Sequence, residues 1–398
     1  MGLLLLRAAA LALSVHPHRA LIGDEAAYDG VARSLVAGLG YSYKGFAWVW
    51  KPPLWPTLLA GLKLLFGDNA SAVVFVQALC DGGTAIASCF AARQIFGSER
   101  AGWFALALVA LWPPFLREAR LLQTEPLFTL GVALSLLAFV RWAMQPSART
   151  AFVLGLASGF AAMVRPNGLA PAASLVLAWL VLDRTARARW ATIAAIGLAV
   201  ALVVAPWALR NERVFHSFIP FSSGGGEVFA MGTSVATDGR WDHIVWVHER
   251  DSLLVRETAR VGHPLTIAET ESALYRVGVE RWREEPRVQL ALWGRRFMRT
   301  VALPVTQESL ALRLAFVATL VALYALAWRG AVVGWTSGAP AGRIAPTLVA
   351  AYVVNVLLLS AIAASSRYVE PVRTLLLVLA GGALAAWGTG AAHARRSA

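Results

Sequence analysis

The sequence has little charge and almost no cysteine. Charged residues make up 15% of the 398 positions against 58% hydrophobic ones, and the mean hydropathy is +0.60. A soluble protein of this length needs a mostly polar surface, so the composition excludes that class and requires lipid as solvent. Cys80 and Cys89 fall within one apolar segment and would face different sides of a helix, which excludes a disulfide between them. We interpret both as small core residues.

The net charge of +13 is unevenly distributed along the chain. Positions 210–308 contain 13 arginines and 13 acidic residues, so that stretch is neutral. The whole excess lies elsewhere, much of it at the ends of apolar segments, as expected for a membrane protein whose cytoplasmic loops are rich in Arg and Lys. The basic excess therefore does not indicate a nucleic-acid partner.

A helix needs about 20 residues to cross the hydrocarbon layer of a membrane. About ten candidate spans are predicted, some of them short: Leu3–Val15, Ala70–Ala92, Ala101–Phe115, Pro126–Ala143, Ala151–Val164, Leu169–Leu182, Ala191–Leu209, Leu310–Trp328, Ile344–Ser365 and Val369–Trp387. A cleaved signal peptide over Met1–Ala20 is the alternative for the first. The predicted fold class is an all-α integral membrane bundle.

The distribution of arginine predicts the orientation. With the N-terminus in the cytoplasm, every inside loop is basic; these loops hold Arg93, Arg100, Arg141, Arg149, Arg184, Arg187, Arg189, Arg329, Arg343, Arg395 and Arg396. The opposite orientation would place all of them on the wrong face. The outer face then receives 17–69, 116–125, 210–308 and the turn around Arg367.

This alternation divides the chain into three parts. They are a transmembrane module (1–209, with the first outer loop at 16–69), an outer segment (210–308) and C-terminal transmembrane helices (309–398). Two helices lying in the membrane interface, Glu25–Ala37 and Leu54–Phe66, are predicted in the first outer loop. The second has 13 apolar residues, which is short for a span.

Candidate functional groups begin in the first outer loop with Asp24 and Glu25. A helix N-terminus favours an acidic cap, which explains one of these carboxylates but not both. Three lysines occur in the whole chain, Lys44, Lys51 and Lys63, and all lie in this loop. The Lys51 amine, ahead of two prolines, is a compact cation suited to a phosphate, or else simply extends towards the membrane surface.

Other candidate groups lie where predicted spans begin or end. Glu125 stands at the start of a span, where an unpaired carboxylate is costly and often functional, although it also suits a helix cap before Pro126. The run Gly224–Gly226 brings backbone amides to an anion or forms a flexible turn. Arg367, before the last span, is an interfacial anchor or a phosphate ligand.

Seven short motifs occur in an order that resembles a known family. They are Asp24-Glu25-x-x-Tyr28, Lys51-Pro52-Pro53-Leu54-x-Pro56, Leu65-Phe66-Gly67, Thr124-Glu125-Pro126-Leu127-Phe128, Ala205-Pro206-Trp207-x-x-Arg210-Asn211, Gly224-Gly225-Gly226-Glu227 and Arg367-Tyr368-x-x-Pro371. The sequence resembles the C-type (GT-C) glycosyltransferases of the protein O-mannosyltransferase and lipid A aminoarabinose transferase superfamily. The likeness runs from Gly23 to about Leu384.

The resemblance implies an enzyme with a GT-C-like bundle that takes a sugar from a polyprenyl-phosphate carrier. The acceptor would be a hydroxyl on a protein, lipid or glycan. The acid matching Asp24 would act at the acceptor, the acid matching Glu125 would line the site, and the lysine matching Lys51 would contact the lipid phosphate. With these we group Glu25 as a third candidate catalytic acid, and Tyr28, Arg210, Arg367 and Tyr368 as substrate-binding residues.

The chemistry of such a transfer agrees with these residues. One displacement at the anomeric carbon predicts inversion, with Asp24 as the base for the acceptor hydroxyl. The leaving phosphate needs cations rather than a strong acid. No cofactor is predicted, and no metal site, because the pairs His16/His18 and His243/His248 lack helical i, i+4 spacing and a third ligand.

A transporter or flippase is the alternative function, followed by a non-catalytic membrane subunit. Transporters place charged groups at mid-bilayer on broken helices and often have paired halves. Here the acids lie at the ends of spans and the halves are unlike, which favours the enzyme. The bias towards Ala, Arg and Gly indicates a bacterial protein, with its site on the periplasmic side of the inner membrane.

Overall fold

The computed structural model of the protein describes residues 20–182, 190–240, 242–302, 310–362 and 366–394. The predicted span Leu3–Val15 lies outside these ranges, as do the cytoplasmic arginines predicted at positions 184, 187, 189, 395 and 396 and the histidine pair at 16 and 18.

Sixteen α-helices make up most of the described chain. They are α1 Asp24–Val36, α2 Leu54–Phe66, α3 Ala70–Phe96, α4 Glu99–Ala110, α5 Pro113–Glu118, α6 Glu125–Met144, α7 Ala148–Val164, α8 Leu169–Leu182, α9 Trp190–Phe215, α10 Gly225–Gly232, α11 His243–Val261, α12 Ile267–Glu284, α13 Pro286–Ala302, α14 Leu310–Thr336, α15 Ile344–Ile362 and α16 Thr374–Ala394. Between α1 and α2 lies a small antiparallel hairpin, β1 Ser42–Tyr43 with β2 Phe46–Ala47, in which Ser42 pairs with Ala47.

Within the described ranges, six helical stretches are long and apolar enough to cross a membrane. They are Ala70–Phe96, Glu125–Met144, Ala191–Phe215, Arg313–Thr336, Ala341–Ile362 and Glu370–Trp387. The apolar helices α2, α7 and α8 are shorter, at 10 to 17 residues. The chain is therefore a multi-pass membrane protein and the all-α prediction is confirmed, with six of these helices rather than ten reaching full spanning length.

The predicted span Ala101–Phe115 is two helices rather than one. Helix α4 ends at Ala110, and α5 starts at Pro113 after Trp112 in an extended conformation. Pro113 and Pro114 lack the amide hydrogens that would continue the helix, and proline is favoured in the first turn of a new one. The break turns the chain over the end of the bundle and places Glu118 there.

Small residues let the membrane helices approach closely. Gly155 and Gly159, four positions apart in α7, face α9, and a Cβ added at Gly155 would collide with the carbonyl oxygen of Ile196. At Gly159 it would lie 2.9 Å from the Cβ of Val203. Close approach of this kind drives helix association in lipid, where dispersion replaces the hydrophobic effect.

Helices α10 to α13 lie in the predicted outer segment and rest on the bundle. Trp246 is fully buried in a small core and donates its indole N–H to Glu227 at 3.1 Å. Helix α13 is attached to the end of α15, because Trp293 donates to the Ser360 hydroxyl at 2.9 Å and Arg296 donates to the Ser360 carbonyl at 2.8 Å. This attachment brings the outer segment beside the loops that carry the candidate residues.

Candidate active site

The first outer loop is folded against itself by two helices and four charged residues. The four are Asp29 and Arg33 of α1, Lys63 of α2, and Asp68, and their acidic and basic side chains alternate around a ring of ion pairs. We name these four residues the loop clamp. Lys63 contacts Asp29 and Asp68 at 2.6 Å each, while Arg33 contacts Asp29 at 2.7 Å and Asp68 at 2.9 Å. Every carboxylate oxygen of the clamp therefore has one cation, and the clamp fixes α1 against α2.

Asp24 is the first residue of α1, and Lys51 precedes the proline pair before α2. Gly23 enters the helix at φ +57°, in the left-handed region that favours glycine. The Tyr41 hydroxyl lies 3.0 Å from the carbonyl oxygens of Lys51 and Pro52 and fixes that stretch of backbone. As a result the Lys51 amine lies 3.3 Å from a carboxylate oxygen of Asp24.

The second outer loop, between α5 and α6, is held on both sides through its backbone. Gln77 of α3 donates to the carbonyl of Leu121 at 2.6 Å. Glu25 of α1 accepts from the amide of Leu122 at 2.8 Å, and its side chain is buried. Pinning the loop in this way fixes the position of Glu125, which starts α6 immediately afterwards.

Glu125 is buried with two arginines around it. Arg165, which follows α7, donates to Glu125 Oε1 at 2.6 Å and to the Thr124 hydroxyl at 2.6 Å. Arg367 donates to the same Glu125 oxygen and also lies 4.0 Å from Asp24. We name Asp24, Lys51, Glu125, Arg165 and Arg367 the charged cluster; it joins two outer loops and the ends of α7 and α15.

The charges in this cluster shift one another's pKa values. Burial alone would raise the pKa of Asp24, but the neighbouring Lys51 and Arg367 more than offset it, so the pKa is below its usual value. Burial lowers the pKa of Lys51, the charge of Asp24 opposes that change, and the positive charge of Arg165 adds to it. Asp24 is therefore ionised at neutral pH, and Lys51 gives up its proton more readily than a free lysine.

Glu118, at the end of α5, belongs to the same neighbourhood. Burial and the negative charge of Glu125 raise its pKa to about 7, against the opposing charges of Arg367, Arg117 and Arg165. A carboxyl group with a pKa near neutrality changes protonation state under working conditions and is a frequent feature of functional sites.

A cavity of about 660 Å³ lies beside the charged cluster. It is lined by Asp24, Lys51, Arg367 and Tyr368 from the transmembrane part and by Glu227 and Arg250 from the outer segment. This volume is in the range of small-ligand sites, and the mixture of cations and carboxylates suits a polar, negatively charged headgroup. Among the described residues, no group of three or more His, Cys, Asp or Glu side chains is arranged to hold a metal ion.

The structure brings together six of the eight residues singled out from the sequence. Asp24, Lys51, Glu125 and Arg367 are in the charged cluster. Tyr368 lines the cavity, and the buried phenol of Tyr28 is close enough for the charges of the cluster to act on it.

Glu25 and Arg210 lie outside the cavity wall. Glu25 holds the second outer loop, as described above. Arg210 donates to the carbonyls of Tyr41 at 2.9 Å and Trp48 at 3.1 Å, so it fixes the backbone of the first outer loop.

The backbone amides of the glycine run at 224–226 bind a carboxylate side chain of the protein itself. The amides of Gly224 and Gly226 donate to the two carboxylate oxygens of Glu271, at 2.6 and 2.8 Å. The amides are thus already used in joining α10 to α12.

Sequence reasoning missed Arg165 and Glu118. The predicted alternation places the turn after Ala151–Val164 on the outer face, where arginine is disfavoured, so Arg165 contradicts the charge rule and could have been noticed. In the structure its guanidinium lies between two rings, 5.7 Å from Phe128 and 5.5 Å from Tyr368. No local signal marks Glu118, since its burial depends on the turn made at Pro113.

Known proteins are similar to this chain in sequence over part of its length and in fold over nearly all of it. The family described as dolichyl-phosphate-mannose-protein mannosyltransferase matches residues 50–209 of the chain. A search of curated proteins finds no match.

Solved structures of AglB and ArnT are among those that match 96% of this chain. The oligosaccharyltransferase AglB from Archaeoglobus fulgidus, in complex with an inhibitory peptide and a dolichol-phosphate, is 14% identical with a TM-score of 0.55; the match covers 96% of this chain and 50% of AglB. ArnT from Cupriavidus metallidurans, bound to undecaprenyl phosphate, is 15% identical with a TM-score of 0.49, covering 96% of this chain and 77% of ArnT. The likeness to AglB shows that the chain has the fold of the C-type glycosyltransferases, which confirms the resemblance at the level of fold. This chain spans half the length of AglB.

Proposed function

We propose that the protein is a glycosyltransferase that moves a sugar from a polyprenyl-phosphate carrier to an acceptor hydroxyl. The observation that carries the proposal is the convergence of Asp24, Lys51, Glu125 and Arg367 beside one cavity. These groups come from three separate parts of the chain, the first outer loop, the second outer loop and the turn around Arg367, and their meeting at one end of the bundle supplies a base and cations within reach of a single ligand.

In the proposed reaction the acceptor oxygen attacks the anomeric carbon of the sugar. Asp24 takes the proton of the attacking hydroxyl while the bond between the anomeric carbon and the phosphate oxygen breaks. Because its pKa is low, Asp24 is ionised and ready to accept a hydrogen bond from that hydroxyl. A single displacement inverts the configuration at the anomeric carbon.

The phosphate leaves with its negative charge, so the site has to stabilise an anion. Lys51 and Arg367 both lie at the cavity wall and within 4.0 Å of Asp24. Preorganised cations in a site shielded from water stabilise developing charge strongly. Polyprenyl phosphate is thus released without a separate general acid.

The comparisons support a lipid-linked donor. AglB, which shares the fold, is in complex with a dolichol-phosphate, and the matching family is described by a dolichyl-phosphate-mannose substrate. A protein, lipid or glycan hydroxyl is the acceptor class that we propose. The excess of arginine in the opposite loops supports a site on the outer face of a bacterial inner membrane.

The test is release of free polyprenyl phosphate by the purified protein from a panel of polyprenyl-phosphate sugars, each with added protein, lipid and glycan acceptors whose hydroxyl takes the sugar. Asp24→Asn should lower the rate by about 10²- to 10⁴-fold, the usual contribution of a general base. Asp68→Asn is the matched control, since Asp68 is an exposed clamp carboxylate, and it should stay within about twofold of the wild type. An undiminished rate in Asp24→Asn would remove this base from the mechanism. Failure of the wild type to release polyprenyl phosphate from any donor would reject the enzyme and favour a transporter.

A further inference from the structure

Five buried polar atoms around Glu125 have no hydrogen-bond partner. Among the described residues fourteen buried side-chain nitrogen or oxygen atoms lack one, and five are concentrated here: Glu118 Oε2, Gln123 Oε1, Glu125 Oε2, Arg165 Nη1 and Arg367 Nη2. Folded proteins satisfy the large majority of buried polar groups, because an unmet one is costly. Five in one place therefore indicate a site for a ligand.

The pairing of Glu125 is one-sided. Arg165 and Arg367 both donate to its Oε1 atom, which leaves Oε2 without a donor. Structural carboxylate and guanidinium pairs commonly use both oxygens. Asp29 in the loop clamp is paired in that way, with Lys63 on one oxygen and Arg33 on the other.

The five atoms are of two chemical kinds, and this restricts the ligand. The oxygens of Glu118, Gln123 and Glu125 are acceptors, whereas the nitrogens of Arg165 and Arg367 are donors. A phosphate would satisfy the donors but would be repelled by ionised carboxylates, and a metal cation would have the opposite difficulty. A polyhydroxylated neutral ligand satisfies both kinds, since every hydroxyl both donates and accepts.

We propose that Glu118, Gln123, Glu125, Arg165 and Arg367, the inner polar cluster, bind the hydroxyl groups of the transferred sugar and determine which sugar is accepted. This inference rests on the proposed function and divides the site into two parts. Asp24 and Lys51 act at the bonds being made and broken, and the inner polar cluster recognises the sugar ring; Arg367 lies near both Asp24 and Glu125 and takes part in both. Of the five residues, Gln123 and Arg367 line the cavity, where the Arg367 side chain is 30% exposed.

The residues of the inner polar cluster are held in place by their neighbours, which suits the cluster to discriminate between sugars. Gln77 and Glu25 hold the backbone of the loop that carries Gln123. Arg165 is held between the rings of Phe128 and Tyr368. A site whose buried groups are fixed in place discriminates strongly against a substrate that lacks the matching hydroxyl, because those groups then stay unpaired.

The experiment compares sugars and variants together. Polyprenyl phosphates carrying mannose, glucose, galactose or arabinose are assayed for kcat/KM, and then single-deoxy forms of the preferred sugar are tested. For the wild type, loss of a recognised hydroxyl should lower kcat/KM by about tenfold or more, as expected for a hydrogen bond to a charged group. In Glu118→Gln or Arg165→Lys the ratio between the parent and that deoxy donor should approach one.

Lys51→Met is the matched comparison, because it should slow all donors alike and leave those ratios unchanged. The inference is overturned if the wild type is indifferent to every deoxy substitution. It is also overturned if both cluster variants slow all donors equally and keep the wild-type ratios, which is the behaviour of a structural group. If the wild type releases polyprenyl phosphate from no donor, the proposed function itself has failed, an outcome distinct from turnover without discrimination.

Discussion

The loop clamp and the charged cluster use the same residue types and share helix α1, yet they are organised differently. In the clamp, two carboxylates and two cations alternate, so that each of the four carboxylate oxygens has its own partner at 2.6 to 2.9 Å. In the charged cluster, two guanidiniums converge on one oxygen of Glu125 while the other oxygen has no partner.

Complete pairing is what a structural ion network requires, since unpaired buried charge destabilises the folded state. Incomplete pairing keeps donors and acceptors free for a ligand, at some cost in stability that the rest of the bundle offsets. The difference between the two regions therefore separates residues that fix the loop from residues that are free to act on a substrate. Matched substitutions in the two regions test that separation.

The largest contrast is expected between Lys51 and Lys63, two of the three lysines of the first outer loop. Lys51→Met removes a cation that stabilises the leaving phosphate and should lower kcat by about 10²- to 10³-fold. Lys63→Met removes a clamp residue whose amine is 12% exposed, and should reduce the free energy of unfolding by about 1.5–3 kcal/mol. Its kcat per folded molecule should stay within about twofold of the wild type, because Lys63 does not line the cavity.

Polyprenyl phosphate release and thermal unfolding in detergent measure the two effects separately. Equal losses of kcat in the two variants would show that the clamp and the cluster are one functional unit. Retained activity in Lys51→Met would remove the lysine from phosphate stabilisation.

A smaller contrast is expected between two arginines. Arg165→Lys keeps the charge but loses the planar group that lies between Phe128 and Tyr368, along with the bond to Thr124. Arginine and lysine are not equivalent at such a site, and a loss of about tenfold or more in kcat/KM should follow. Arg33→Lys, 55% exposed in the clamp, should change kcat/KM by less than about twofold. Similar kinetics for the two variants would contradict the proposed role of Arg165.

Glu25 offers a third contrast, with Asp24 beside it. Glu25→Ala removes the acceptor for the Leu122 amide and should lower kcat several-fold by loosening the second outer loop. Glu25→Gln keeps a carbonyl oxygen for that amide and should recover most of the rate. If Glu25→Gln were as inactive as Asp24→Asn, its charge rather than its loop contact would matter, and the initial grouping of Glu25 with the catalytic acids would stand.

How much of the fold could be predicted from the sequence depends on how far apart along the chain the interacting residues are. Helix α2 was predicted with its observed bounds, and α1 within one residue, because apolar periodicity and turn residues are local. The span Ala101–Phe115 was predicted as one helix since its apolar run hid the effect of two prolines. The fold class followed from composition together with the ordered motifs.

The site was predictable where a functional group lies in a motif at the end of a span, as for Asp24, Lys51 and Glu125. The direction in which a side chain points was not predictable. Arg210 also lies in a motif at the end of a span, but its guanidinium donates to the carbonyls of Tyr41 and Trp48, which approach it only in the folded chain. Glu118 was missed for the same reason, because its environment comes from residues far away in sequence. The roles of all these residues stay predictions until the variants are made.

The smallest expected effect concerns pH and Glu118, whose pKa is near 7. Its pKa rises from 4.5 to about 7 in the folded protein because of burial and the charge of Glu125, while Arg367, Arg117 and Arg165 oppose the change. Between these values the folded state holds a proton that the unfolded chain has released, so this contribution to stability is present below pH 4.5 and is lost as the pH rises through about 7.

Glu118→Gln cannot release a proton, and its Tm in detergent should therefore fall less than that of the wild type, by a few degrees at most, between pH 5 and pH 8. In the fully paired clamp, Asp68→Asn should leave the wild-type pH dependence over that interval unchanged, because the pKa of Asp68 is lowered rather than raised. Hydrogen bonds from Lys63 and Arg33, and their positive charges, lower this pKa below its usual value and outweigh the opposing effect of burial. Parallel curves for Glu118→Gln and the wild type would mean that the carboxyl group is not protonated in the folded protein, and the contrast between the two regions would then rest on geometry alone.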